Sequence, residues 1–138
     1  YRFCWIRDAT ISLLALMELQ SSRAGARIGP DGEPVLLLDQ DRRRWDRLLI
    51  RRGLEGIDRA WALEKPPGPY LLQSAIAACH ARAADPEDTD WARIAGLYAV
   101  LAQVTPSPVV ELNQAVAIVM SSSGVHSRFV WNSDSVGQ

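Results

Sequence analysis

The chain has 138 residues, 48% of them hydrophobic, and its 15 basic and 16 acidic side chains nearly cancel to a formal charge of -1. That length holds one domain and buries roughly two thirds of its unfolded surface, which excludes wholesale disorder. The charge balance gives no net pull toward nucleic acid or an anionic membrane, and of the 15 cations only Lys65 is a lysine.

Residues 11–23 read as a first helix, with Leu13, Leu16, Met17 and Gln20 on one face and Leu14 widening it. Residues 24–34 are rich in Gly and Pro and carry the turn signal Pro30-Asp31-Gly32. Residues 35–38 are a short apolar run, expected to be extended or a small strand. Residues 39–63 are predicted to form the longest helix. Trp45 and Leu49 mark one stripe, and Ile50, Leu54, Ile57 and Trp61 another. Gly53 and Gly56 inside it each cost about 1 kcal/mol against Ala, a cost that close helix contact would offset. The stretch from Lys65 to Pro69 holds three prolines and stops the helix.

Residues 70–84 form an Ala-rich helix with Leu72, Ile76 and Cys79 on its apolar face. An acidic cluster at 85–90 starts the next helix, with Asp85 or Thr89 as N-cap. Trp91, Ile94, Ala95, Tyr98, Leu101 and Ala102 then give an amphipathic stripe. Ser107 caps a last helix with Pro108 at its first position, and Val109, Leu112, Val116 and Val119 are read as its core face. Residues 121–138 are serine-rich and read as a disordered tail. The expectation is an all-α fold of about five helices in antiparallel hairpins, with one short extended segment. The pattern of Trp91, Ile94, Ala95 and Tyr98 is similar to the first helix of a tetratricopeptide repeat (TPR).

Several signals of other classes are missing. Cys4 and Cys79 form no CxxC pair and no metal spacing, which suits a reducing cytoplasm, and no cofactor is expected. No apolar run approaches the roughly 20 residues of a membrane span. A chain starting at Tyr1 is expected to be a fragment. His80 beside Cys79 is not a nucleophilic pair, because adjacent helical side chains diverge by about 100°. His126 has no partner in the sequence. Trp45, Trp61 and Trp91 sit on apolar stripes and are expected in the core.

The motifs LALMELQSSR (14–23), DGEPVLLLDQD (31–41), WDRLLI (45–50), GPYLLQSAIAACHA (68–81), EDTDW (87–91) and PSPVVELNQAVA (106–117) stand in a specific order. Over residues 13–120 the chain resembles the C-terminal helical, TPR-like extension of bacterial extracytoplasmic-function sigma factors. That resemblance implies a non-catalytic regulatory domain that contacts the sigma core domains and RNA polymerase, and DNA only indirectly. It implies no membrane and no small-molecule substrate. The sigma domains that contact DNA have no counterpart in these residues. The motif YRFCWIRDAT (1–10) resembles instead a strand-loop-helix segment of family 15 glycoside hydrolases, where the pair matching Arg7 and Asp8 binds sugar hydroxyls. Residues 1–12 are thus expected to be a segment of different origin, joined as in a chimeric or frameshifted reading frame. The alternatives are a fragment of such a hydrolase, or a free-standing TPR-like adaptor that binds a peptide. Glycoside hydrolysis needs two positioned carboxylic acids, and the downstream motifs that supply them are not in this sequence. Arg7 and Asp8 are therefore read as a solvated pair.

The arginine run Arg42, Arg43, Arg44, Arg47, Arg51 and Arg52 is interleaved with Asp39, Asp41 and Asp46, and is expected to be the salt-bridged outer face of a long helix. The sigma resemblance makes Asp39, Gln40, Asp41, Arg43 and Trp45 the candidate protein-contact surface.

Overall fold

The computed structural model describes residues 2–63 and 65–123, with side chains from residue 7 onward. The fold is all-α. Five helices follow in order: α1 (Arg2–Ser21), α2 (Arg47–Trp61), α3 (Pro69–Arg82), α4 (Trp91–Val104) and α5 (Pro108–Ser122). Between α1 and α2 the chain makes three single 3-10 turns, and a fourth precedes α4.

Two clusters of buried side chains form the interior, and α3 stands between them. Ala15 and Leu19 of α1, Trp45, Ile50, Ile57 and Ala60 meet Leu71, Ala78 and Ala81 of α3. Leu72, Ile76 and Cys79 on the other side of α3 meet Ile94, Leu101 and Ala117. A helix enclosed from both sides is apolar nearly all round. That is why α3 is built from alanines and aliphatics, and why even Ser74 is fully buried, donating to Leu71 O at 2.9 Å. Each fully buried Leu or Ile contributes about 1.5–3 kcal/mol.

The α1–α2 crossing is set by glycine. A Cβ on Gly53 would lie 2.7 Å from Leu19 Cγ and 3.1 Å from Ala15 O, and one on Gly56 would lie 3.0 Å from Ala15 Cβ. The close contact expected of these glycines is present. It also overturns the predicted face of α1. The glycines receive Ala15 and Leu19, so Ser12, Ala15, Leu19 and Ser22 turn inward, while Leu13, Leu14 and Met17 face out. Helix α1 also starts nine residues earlier than expected. The strand-loop-helix implied for residues 1–10 is helical from Arg2, since no Gly or Pro interrupts residues 2–21.

The helix predicted from residue 39 begins only at Arg47. Two aspartates hold local turns in its place. Asp41 accepts from the Arg43 N–H at 3.0 Å, and Asp46 Oδ1 accepts from the Leu48 and Leu49 N–H groups at 2.9 and 3.1 Å. Asp side chains that bond nearby backbone favour caps over helix interiors. The segment 35–38 is not a strand: Val35 N donates to Arg27 O at 2.8 Å, Leu37–Asp39 turn as a 3-10 helix, and an isolated bridge joins Ile28 to Pro34 just before them. The turn at Pro30-Asp31-Gly32 is present, and Gly32 there has φ +80, which glycine adopts without strain.

At α4 the N-cap is Asp90, whose Oδ1 accepts from Arg93 N at 3.0 Å, and neither Asp85 nor Thr89 has that role. Ser107 caps α5 as expected, accepting from Val110 N at 3.2 Å. The stripe on α4 packs as read. The one on α5 does not. Val109, Leu112, Val116 and Val119 are exposed, and α5 instead turns Val110 and Ala117 onto α4. Of the expected tail, Ser121 and Ser122 belong to α5, and residues 124–138 lie outside the described residues.

Candidate functional site

Of the five residues proposed as a contact surface, Asp39, Asp41 and Arg43 are exposed, and Gln40 and Trp45 are buried. Gln40 Nε2 donates to Val35 O at 3.1 Å, which ties it to its own loop. Trp45 fills the space under the turn of Arg42–Arg44 and belongs to the core. The exposed part is the Asp41–Arg43 ion pair, 3.1 Å across, with Asp39 nearby in sequence. Arg43 beside Asp41 holds that carboxyl below the ordinary carboxylate range.

The arginine run divides by environment. Arg42 is buried, and its guanidinium carbon lies 4.7 Å from the Trp45 ring centroid. Its Nη1 donates to His80 O and, at 3.0 Å, to Ala83 O, and Nη2 reaches Thr89 Oγ1 at 3.4 Å. His80 lies in the last turn of α3 and Ala83 just after it, where backbone carbonyls lack helical partners and the helix dipole is negative. Arg42 thus caps α3 with a cation. Burial pulls its pKa down, and Asp85, Glu87 and Asp88 oppose that shift. No spacing in the sequence separates Arg42 from Arg43 and Arg44, and sequence reasoning missed it.

Among the described residues the rest of the run forms two ion pairs, Arg43 with Asp41 and Arg52 with Glu18, each at 3.1 Å. The continuous salt-bridged helix face is not formed, because Asp46 is engaged as the α2 cap.

His80 is a core histidine. Its ring meets Trp91 edge-on at 5.3 Å between centroids. Burial, then the nearby charges of Arg42 and Arg23, push its pKa down to about 4. Cys79 faces the second cluster, and burial pushes its thiol pKa up. Trp91 packs partly buried against that cluster, whereas Trp61 is exposed, against the expectation of a core position.

A small apolar cavity of about 170 Å³ lies between α1 and the proline turn, lined by Ala9, Ser12, Ala60, Leu63 and Tyr70 with Asp8 and Lys65 among its walls. The two charged groups are joined, Lys65 Nζ to Asp8 Oδ2 at 2.6 Å, and Arg7 Nε lies 3.5 Å from Asp8 Oδ1. The hydrogen bond from Lys65 lowers the Asp8 pKa, so this carboxylate stays ionised and paired. Arg7 and Asp8 do form a pair, but not the solvated one expected, because the Asp8 side chain is only 19% exposed and is bonded across to Lys65. Among the described residues no group of three or more side chains could hold a metal ion. No described helix is long and apolar enough to cross a membrane.

Among the described residues, two apolar helix faces have nothing packed against them. On α1, Leu13, Leu14 and Met17 point away from the bundle. On α5 the four-residue aliphatic stripe does the same.

Residues 6–61 match the family model described as a family of unknown function (DUF6596). The match runs from within α1 to the end of α2, so it includes the glycine crossing and the Arg42–Trp45 turn. An uncharacterized protein of Rhizobium meliloti (strain 1021) is 54% identical over 108 residues, which cover 78% of this chain and 25% of that protein. The matched region spans about a quarter of that relative's length. No solved structure matches the chain.

Proposed function

We propose that this chain is a non-catalytic regulatory domain of an extracytoplasmic-function sigma factor, acting through protein contacts with the sigma core domains and RNA polymerase in the cytoplasm. The single observation that carries the interaction part is the outward apolar cluster Leu13, Leu14 and Met17 on α1. It lies within the residues that match the family model, as does the exposed loop of Asp39, Asp41 and Arg43. Exposed apolar patches of sufficient size mark sites of protein contact. The sigma assignment rests on the order and spacing of the motifs over residues 13–120.

The mechanism is a population shift. Docking of the domain favours or hinders the promoter-competent arrangement by its differential affinity for the two. The glycoside hydrolase alternative has little support, because Asp8 is held in an ion pair by Lys65 and residues 2–10 are helical.

The test is promoter-specific transcription by an intact homologous sigma factor, with the region matching residues 13–120 deleted, and with the residues equivalent to Leu14 and Met17 changed to Asp. Both changes are expected to alter initiation. Unchanged transcription on deletion counts against the sigma reading. An effect of deletion without one from the two point changes places the contact elsewhere.

A further inference from the structure

Arg23 and Arg27 follow the end of α1, and both reach back to one residue of it. Arg23 Nη2 donates to the side-chain oxygen of Gln20, and Arg27 Nη2 lies 3.3 Å from the same Oε1 and 2.7 Å from Gln20 O. Two guanidiniums therefore converge on a single amide oxygen, which is neutral. Neither forms an ion pair among the described residues. Arg23 is also fixed in place by Trp45, whose ring centroid lies 5.9 Å from its guanidinium carbon. Gln20 and Arg23 are half-buried and Arg27 is exposed, so the pair is within reach of solvent.

Like charges held this close repel each other. Burial, then the charges of Arg27 and Arg42, pull the Arg23 pKa down, and no carboxylate among the described residues opposes that shift, as acids do for Arg42. The carbonyl end of α1 supplies about half a negative charge, which offsets only part of two full positive ones. Hydrogen bonding carries the same surplus. The Trp45 indole N–H and the Arg42 Nε–H, on side chains 3% and 5% exposed, have no acceptor among the described residues. Donors and positive charge are both in excess at this corner, which matches it to an acceptor that carries negative charge. A phosphate monoester brings about two charges and three acceptor oxygens, enough for two guanidinium forks. A carboxylate or a phosphate diester brings one charge.

We propose that Arg23 and Arg27 form a binding site for a phosphate monoester group, and that Gln20 holds the two guanidiniums together until the ligand replaces its side-chain oxygen. The inference stands independently of the sigma assignment.

Isothermal titration calorimetry of the full chain tests it, at constant ionic strength and at a pH of about 8, where a monoester is doubly ionised. Inorganic phosphate and methyl phosphate should bind, and dimethyl phosphate and acetate at least about tenfold more weakly. Arg27→Gln should weaken phosphate binding at least about tenfold, and Arg43→Gln, whose arginine is already paired with Asp41, should not change it. Gln20→Glu places a carboxylate between the two guanidiniums. It should abolish phosphate binding and raise the melting temperature, a readout that decides the question even if Arg27→Gln fails to fold. A phosphoserine peptide flanked by alanines, titrated beside methyl phosphate, separates the sources. Tighter binding of the peptide assigns the group to a modified protein, and equal or weaker binding to a small molecule. No binding of phosphate, equal binding of acetate or dimethyl phosphate, or binding indifferent to Arg27→Gln or Gln20→Glu overturns the proposal.

Discussion

The Arg42 guanidinium carbon sits 4.7 Å from the centre of the Trp45 ring, and the same guanidinium donates into the carbonyl end of α3. One side chain from a 3-10 turn thereby holds the loop before α2 to the helix shared by both core clusters. The indole offers its negative face to the cation, while the carbonyls of His80 and Ala83 accept from Nη1.

Arg42→Met keeps much of the packing over Trp45 and removes the donors. The carbonyls of His80 and Ala83 then lose a charged partner in a buried place, which costs about 2–4 kcal/mol. Urea unfolding of the variant should show that loss. Arg43→Met, at an exposed ion pair, should fall within about 1 kcal/mol of wild type. Equal effects at the two positions would mean Arg42 does not cap α3.

His80 makes stability depend on pH in a defined window. Its folded pKa of about 4 lies below the ordinary histidine value of about 6.5. Below that ordinary value the unfolded chain takes up a proton that the folded chain refuses. Stability therefore falls as pH drops from about 6.5 toward 4, by about 3 kcal/mol from this group. Unfolding free energies at pH 7 and 4.5 should show the slope, and His80→Gln should flatten it. A slope unchanged in that variant would assign the effect to other groups.

Two glycines in helices should respond oppositely to alanine. At Gly53 the new methyl would press on Leu19 and on the Ala15 carbonyl, so the cost of about 1–3 kcal/mol outweighs the gain of about 1 kcal/mol in helix propensity. At Gly96 nothing lies within 4 Å of the added Cβ, and the same change should stabilise by about 0.5–1 kcal/mol. Thermal unfolding of both variants measures the contrast, and a stabilised Gly53→Ala would mean the crossing is looser than described.

Asp46 sets where α2 begins. Asp46→Ala leaves the Leu48 and Leu49 N–H groups without their acceptor and should cost about 1 kcal/mol. Asp46→Asn should recover most of it, as denaturant midpoints would report. No recovery would point to the charge of Asp46, rather than its cap, as the stabilising element.

The sequence by itself determined the helical class, the stop at the prolines before α3, the Ser107 cap, the turn at Gly32 and the core stripe of α4. These are local matters, fixed by backbone geometry, side-chain reach along one helix and the period of apolar residues. Tertiary structure decided which stripe faces inward. Leu13, Leu14 and Met17 look like a core face until Gly53 and Gly56 bring α2 onto Ala15 and Leu19, which turn inward instead. Val109 and Leu112 look buried, yet among the described residues nothing packs against the outer side of α5. Arg42 differs from its neighbours only because the α3 carbonyls come to meet it from residues 80 and 83. Such choices depend on distances between segments far apart in the chain, which hydrophobic period alone does not encode.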